Sequence, residues 1–235
     1  MTDCESAWKL WYACGQYEEF LREIFRIQGH GGSIESDKVG FMKIMTDASK
    51  RTVGPLRCSR RELIVNEKYQ LRIENNHRAC ICKNIRRDVE DRLGKLLIGF
   101  IDVARWIGSS ASSGQEKAGS LKLMADHFRY YSEISKEGVD LKMIDQLYTE
   151  AADEVMKNRT ASQDDITHLE LGIALNHSIY CYEILHEPER AIRIAREAFL
   201  RVMMPSSLTT TTPACATRTI QRLRDNISLW ISVEG

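Results

Sequence analysis

The stretch Leu171-Gly-Ile-Ala-Leu-Asn-His-Ser-Ile-Tyr-Cys-Tyr-Glu-Ile-Leu185 decides the fold of this chain. Its apolar side chains recur at intervals of three and four residues, at Leu171, Ala174, Leu175, Ile179, Tyr182 and Leu185. That spacing predicts an α-helix that packs on its neighbours over most of its circumference. Two polar residues, Asn176 and Glu183, lie seven positions apart and therefore share one face. The pattern leaves open whether the Asn176 amide bonds to a neighbouring helix or to the backbone of a bound peptide.

The rest of the chain has the same helical patterning. Only four of the 235 residues are Pro and 14 are Gly, and alternating apolar and polar runs are almost absent. The sequence therefore predicts an all-α fold of about nine antiparallel helices with short connections. The predicted helices cover residues 5–12, 17–28, 35–69, 76–107, 115–136, 141–158, 171–185, 188–204 and 217–232. Pro55 lies inside the third of these and predicts an interruption or kink there.

Composition excludes several classes of function. Lys+Arg and Asp+Glu both number 33, so the net charge is zero and a nucleic-acid partner is not expected. No run of 18 apolar residues predicts a membrane span, and the N-terminus does not resemble a signal peptide. Seven Cys without a Cys-x-x-Cys pair favour a reducing compartment. The sequence predicts a soluble, cytoplasmic protein.

No motif in the sequence predicts catalysis. Phosphate loops, zinc-protease motifs and nucleophile elbows are absent, and the six His are scattered. We therefore expect no enzymatic activity, no cofactor and no metal site. One alternative is an enzyme that uses Cys181 or Cys58 as nucleophile, but the sequence places no evident His base beside either thiol.

Charged residues are grouped on two predicted helices. Lys50, Arg57 and Arg61 have a spacing that puts three cations on one face. On the helix over 115–136, one face carries Lys122, Asp126, Arg129, Tyr130 and Glu133. The i,i+4 spacing on this face predicts ion pairs between Lys122 and Asp126 and between Arg129 and Glu133. Position alone favours a solvated surface for both groups.

Three stretches together resemble the 14-3-3 family. They are Leu171–Leu185, Phe128-Arg-Tyr-Tyr-Ser-Glu-Ile134 and Leu223-Arg-Asp-Asn-Ile-Ser-Leu-Trp230. The similarity extends over residues 115–235, and before them it rests on Ser49-Lys50, Val53-Gly54 and Arg57. The resemblance implies a single domain over 1–235 with a concave peptide-binding groove. Within it, residues 1–110 would form N-terminal helices with a possible dimer interface, and residues 115–235 would form the groove helices.

The resemblance also implies a function, that of an adaptor without catalysis that binds phosphoserine or phosphothreonine in a partner protein during signalling. The residues implied for the phosphate are Lys50, Arg57, Arg129 and Tyr130, with Asp126 holding Arg129. Those implied for the peptide are Asn176, Asn226, Glu183, Lys122, Leu175, Ile179, Leu229, Trp230 and Arg222. The chemistry agrees, because a phosphoryl group carries about −1.5 to −2 charges and two Arg can bind it bidentately.

This chain departs from the family pattern at two surfaces. The last helix carries Arg218, Thr219 and Arg222 where the family is apolar toward the ligand, which favours acidic residues in the partner. At the family's dimer interface, Gln16, His77, Cys80 and Asn84 replace the expected side chains, so we expect a homodimer that is weakened or altered. Five residues follow Trp230, so the family's acidic tail is not in this sequence.

A second alternative is a helical scaffold that binds unmodified peptides or helices through a diverged groove. Solenoid scaffolds repeat a unit of about 34 to 47 residues, and no such repeat is visible. A peptide titrated with and without its phosphate distinguishes the scaffold from the adaptor.

Overall fold

The computed structural model describes residues 12–13, 15–30, 38–135, 139–158, 164–203 and 214–234, without the side chains of 164–167, 203, 214–215 and 234. Within these residues there are eight α-helices and no β-strand. They are α1 (Tyr17–Gly29), α2 (Lys38–Arg72), α3 (Asn76–Ser109), α4 (Gly114–Ser132), α5 (Leu141–Lys157), α6 (Asp164–Glu183), α7 (Pro188–Met203) and α8 (Ala214–Glu234). The all-α prediction is confirmed. The predicted helix over 5–12 and the connection over 205–213 lie almost wholly outside the described residues.

Local signals explain several helix ends. The Asn75 side chain accepts a hydrogen bond from the Arg78 backbone at 3.2 Å, which satisfies a free N–H at the start of α3. Asp140 caps α5 in the same way, at 2.9 Å from the Lys142 nitrogen. α2 runs unbroken through Pro55, so the proline does not end the helix, and the predicted kink there stays a prediction. Gly54 precedes the proline, and without a Cβ it avoids the clash that disfavours helix at that position.

The contacts group into two compact units. The first comprises Met1–Ser110 and Tyr130–Val139. In it α1 packs on α2 and α3, and α2 packs on α3. Fully or almost fully buried side chains from all three helices form its core, including Phe20, Leu21, Ile24, Met45, Leu97 and Phe100. Burial of this apolar surface is the main force that holds the three helices together.

The second unit comprises Ala111–Arg129 and Asp140–Gly235. Its central helix is α6, which contacts α5, α7 and α8. Buried residues of α6 include Leu171, Ile173, Leu175, Tyr180 and Cys181, which point in several directions around the helix. This confirms that the helix packs over most of its circumference. The boundary between the two units falls within α4, between Arg129 and Tyr130.

Among the described residues, no helix combines the length and the apolar character that a membrane span requires.

Candidate functional site

Asp126 lies at the centre of a buried hydrogen-bond network in the second unit. Only 7% of its surface is exposed. Its carboxylate accepts hydrogen bonds from the Lys122 ammonium at 2.6 Å, the Tyr148 hydroxyl at 2.6 Å and the Asn176 amide at 2.7 Å. Burial acts to raise the pKa of Asp126, but the nearby Lys122 and Arg129 cations outweigh it, and the pKa lies below its ordinary value. The carboxylate is therefore ionised and surrounded by donors.

Tyr148 connects this carboxylate to Arg129. The Tyr148 hydroxyl donates its hydrogen to Asp126 and accepts a hydrogen bond from Arg129 Nε at 3.2 Å. Burial raises the pKa of Tyr148 well above its ordinary value, so the hydroxyl keeps the proton that it donates. Arg129 itself is 6% exposed. The network thus fixes the position of a buried guanidinium, which is the arrangement expected when a buried charge is tolerated.

Tyr148 is a member of this network that is not among the predicted site residues. It lies on the buried face of α5, which is formed by Ile144, Tyr148, Ala151 and Val155. Tyr148 is the one member of that face with a polar group, and a buried Tyr hydroxyl usually has a hydrogen-bond partner. This signal is present in the sequence, but it does not indicate which helix supplies the partner.

Arg57 is the main functional candidate in the first unit. Its side chain is 17% exposed. The guanidinium lies 3.8 Å from the centre of the Tyr130 ring, a cation–π contact. It also donates to both carboxylate oxygens of Glu133, from Nε at 3.2 Å and from Nη2. An aromatic ring and a carboxylate therefore hold Arg57 in one orientation.

Glu133 is held from a second direction by Arg60. The Arg60 Nη2 donates to the Glu133 backbone carbonyl at 2.7 Å, and its Nε donates to Glu90 at 2.8 Å. Arg60 is absent from the predicted cationic face, whereas the predicted Lys50 and Arg61 are exposed. Glu133 is therefore fixed at both its carboxylate and its backbone.

The two predicted ion pairs of α4 have different outcomes. Lys122 and Asp126 do form a pair at 2.6 Å, but both side chains are largely buried and not solvated. The predicted pair of Arg129 with Glu133 is corrected, because the Glu133 carboxylate accepts from Arg57 and Arg129 donates to Tyr148. Helical spacing permits the pair, but partners from other helices are better placed.

The residues predicted to contact a peptide are spread over α6 and α8. Asn176 is half-buried and donates one amide hydrogen to Asp126 on α4, which is the first of the two partners that the sequence pattern leaves open. Asn226 and Ile179 are half-buried, whereas Glu183, Arg218, Arg222 and Leu229 are exposed. Leu229 is 58% exposed.

Two predicted peptide contacts lie in the core of the second unit. Leu175 is 7% exposed and Trp230 is 4% exposed, and both belong to the core of the second unit. The Trp230 ring stacks on Tyr182 with 4.8 Å between ring centres. These side chains support α6 and α8 from inside, and their contact with a peptide stays a prediction. Apolar residues toward a core and toward a ligand have the same sequence pattern, so the sequence cannot separate them.

Cys181 lies close to a histidine and a carboxylate. Asp145, His177 and Cys181 each place one potential ligand atom within 4.8 Å of the other two. The expectation that Cys181 has no evident His base beside it is therefore wrong, because His177 lies one turn before it on the same helix. However, Cys181 is fully buried and burial raises its pKa to about 11. A buried, protonated thiol is a poor nucleophile, so this cluster does not favour the enzyme alternative.

Comparison with known proteins identifies the family. The family model described as 14-3-3 protein matches residues 7–231. The 14-3-3-like protein D of Nicotiana tabacum is 30% identical over 226 residues, which cover 92% of this chain and 87% of that protein. The 14-3-3 protein 6 of Solanum lycopersicum is 31% identical over 228 residues, covering 92% and 84%. With a match over nearly its whole length, this chain belongs to the 14-3-3 family.

Proposed function

We propose that this protein is an adaptor that binds phosphoserine or phosphothreonine segments of partner proteins and has no catalytic role. The observation that carries the proposal is the buried network of Asp126, Tyr148 and Arg129. Burying a guanidinium costs free energy, and the fold meets that cost with a carboxylate and a hydroxyl. A buried cation that is held in position in this way is expected where the site binds an anionic ligand.

The proposed phosphate ligands are Lys50, Arg57, Arg129 and Tyr130. Lys50 is exposed and offers a point charge, whereas Arg57 and Arg129 offer planar forks that match phosphate oxygens. Each charge-assisted hydrogen bond contributes about 1.5–3 kcal/mol before the cost of desolvation. Because the contacts of Arg57 with Tyr130 and of Arg129 with Tyr148 hold both guanidiniums in place, little side-chain entropy remains to be lost on binding.

The proposed peptide contacts are Asn176 and Asn226, with Lys122, Glu183, Ile179 and Leu229 beside them. The Asn176 bond to Asp126 uses one of its two amide hydrogens. The second hydrogen and the carbonyl oxygen complement the carbonyl and N–H of an extended peptide. The same side chain can therefore hold Asp126 and orient a ligand.

We further propose that the residues next to the phosphorylated position are acidic. Arg218 and Arg222 are one turn apart on α8, and Arg222 is one turn before Asn226. Both are exposed. Two adjacent cations near a peptide-binding asparagine attract carboxylates. Apolar groups are disfavoured, because they displace water from the guanidiniums without replacing its hydrogen bonds.

One peptide in four forms tests both proposals by calorimetry. The peptide is made with and without its phosphate, and with Leu or Glu next to the serine. We expect the phosphorylated forms to bind at least about 100-fold more tightly, since two charge-assisted bonds contribute about 3 kcal/mol or more. Among phosphorylated forms, Glu should bind several-fold more tightly than Leu, and Arg222→Leu should remove that difference.

The outcomes separate the competing functions. Equal binding with and without phosphate rejects the adaptor and favours the scaffold for unmodified peptides. A clear phosphate effect with a preference for Leu keeps the adaptor and rejects only the acidic preference.

We propose that the homodimer of this protein is altered relative to the family's usual pairing. Gln16, His77, Cys80 and Asn84 are all exposed, and the Asn84 amide contacts the Cys80 sulfur at 3.8 Å. Neutral polar groups pair weakly, but Ile81 and Ile85 on the same part of α3 are 44% and 47% exposed and can supply apolar contact. We expect sedimentation at low micromolar concentration to show a monomer–dimer equilibrium, and a tight dimer at every concentration would contradict this.

A further inference from the structure

A group of three different metal-ligand types lies between α5 and α6, apart from the proposed phosphate ligands. Asp145 comes from α5, and His177 and Cys181 come from one face of α6 with i,i+4 spacing. One carboxylate oxygen, one imidazole nitrogen and the sulfur all lie within 4.8 Å of one another. His177 is 6% exposed and Cys181 is fully buried.

Charged side chains of both signs surround this group. Arg190 donates to both oxygens of Asp145, at 2.7 and 2.8 Å, and to Glu187 at 2.9 Å. With a neutral imidazole and a neutral thiol, Asp145, Glu187 and Arg190 carry one net negative charge, and the Arg193 cation also acts on Cys181. A divalent cation bound to the thiolate form of Cys181 adds one positive charge, so at most one unit of net charge remains.

We propose that Asp145, His177 and Cys181 bind a transition-metal ion of the zinc class. Sulfur, nitrogen and oxygen together suit Zn²⁺ and its substitute Co²⁺, whereas Ca²⁺ and Mg²⁺ prefer oxygen alone. Tetrahedral zinc with bonds of about 2.0–2.3 Å places its ligand atoms roughly 3.3–3.8 Å apart. The sulfur thus needs to approach the other two atoms by at most about 1–1.5 Å, whereas His177 Nε2 and Asp145 Oδ1, which are 2.8 Å apart, need to separate by about 0.5 Å. Water would complete the tetrahedron as the fourth ligand.

Metal binding changes three bonds in a balanced way. The Cys181 thiol releases its proton to solvent as the sulfur binds the metal. His177 binds through Nε2, which now lies 2.8 Å from Asp145 Oδ1, and the ring proton moves to Nδ1. Asp145 exchanges the imidazole for the metal and retains Arg190, because an ionised carboxylate has about four acceptor positions.

The site is connected to the Asp126 network through an aromatic stack. The His177 ring lies 5.2 Å from the Tyr148 ring at an angle of 16°. A metal on His177 would restrict that stack and hence the Tyr148 hydroxyl, which links Asp126 to Arg129. Metal binding itself does not depend on whether the protein binds phosphopeptides.

Titration of the full-length, reduced, metal-free chain with Co²⁺ and then Zn²⁺ tests the proposal. We expect one Co²⁺ per chain, with a thiolate-to-cobalt charge-transfer absorption that Zn²⁺ abolishes. Cys181→Ser should lose this absorption, and its Zn²⁺ affinity should fall at least about tenfold, since even the partners of metal ligands contribute that much. Cys58→Ser removes an exposed thiol of α2 and should behave as the wild type.

A second variant tests the same site without removing the thiol. His177→Gln retains the thiol and should also weaken Zn²⁺ at least about tenfold, so the conclusion does not depend on how Cys181→Ser folds. The proposal is overturned if the wild type shows no thiolate–cobalt absorption. It is also overturned if the absorption persists in Cys181→Ser or disappears in Cys58→Ser, because the metal would then sit at another thiol.

Discussion

Asp126→Ala is expected to lower the free energy of unfolding by about 3–5 kcal/mol, the usual cost of removing one partner from a buried ion pair. The substitution leaves the Lys122 ammonium without its carboxylate, and Arg129 loses the anion that offsets its charge. The Tyr148 hydroxyl and the Asn176 amide each lose an acceptor as well. Urea unfolding followed by circular dichroism measures the change.

Asp102→Ala is the matched control. Asp102 also pairs with an arginine on its own helix, Arg105 at 2.9 Å, but its side chain is 42% exposed. An exposed pair contributes about 0–1 kcal/mol, so this variant should unfold nearly as the wild type does. If the two variants lose the same stability, Asp126 does not anchor a buried network and the support for Arg129 is lost.

The effect of Asp126→Ala should also depend on pH. The pKa of Asp126 in the folded protein lies below its ordinary value near 3.8. A group with a lowered pKa stabilises the fold at pH values above the unfolded-state pKa, and that stability is lost as the pH falls through the folded-state pKa. The difference in the free energy of unfolding between the wild type and the variant should therefore be largest at pH 6 and above. It should decrease as the pH falls below about 4.

The course of each helix could be predicted largely from local signals. Pro188 begins α7 because proline fits the first turn, and Asn75 precedes α3 as its cap. The end of α4 was placed four residues too late, since no glycine or proline marks Ser132 as its last residue. Ends without such a residue depend on tertiary packing, which a single sequence does not show.

The site could be predicted one helix at a time. Periodicity correctly groups Lys122 with Asp126, because both lie on one helix. The same i,i+4 spacing joins His177 and Cys181, but that pair is not among the predictions. Periodicity does not show that Tyr148 approaches Asp126. Periodicity also does not show that Asp145 approaches His177, because in both cases the partner belongs to another helix. The 14-3-3 resemblance supplies candidate ligands but not the hydrogen bonds that hold them.

Arg57→Glu is expected to weaken binding of a phosphoserine peptide at least about 100-fold, the largest functional effect of any single change considered for this protein. The substitution removes a guanidinium that can donate two charge-assisted bonds, worth about 3–6 kcal/mol before desolvation. It also places a second carboxylate beside Glu133, which in the wild type accepts a hydrogen bond from Arg57. Calorimetry with one phosphorylated peptide measures the loss.

Arg57 is a better position for this test than Arg129. Arg129 is 6% exposed and contacts Tyr148, so a glutamate there would bury a second carboxylate near Asp126 and unfold the network. Arg57 is 17% exposed, and its replacement leaves the Asp126 network intact. Loss of binding in Arg57→Glu can therefore be assigned to the missing ligand contact once circular dichroism shows a folded chain.

Arg61→Glu is the matched control, because it makes the same change of charge one turn further along α2 at an exposed position. We expect it to weaken binding only a few-fold, by long-range electrostatics that salt screens. Glu133→Gln should act in the opposite direction and tighten binding several-fold, since the phosphate no longer competes with a carboxylate for Arg57. Equal losses in Arg57→Glu and Arg61→Glu would mean that the whole basic face attracts the peptide. In that case Arg57 is not a phosphate ligand, and the proposed set of Lys50, Arg57, Arg129 and Tyr130 must be abandoned.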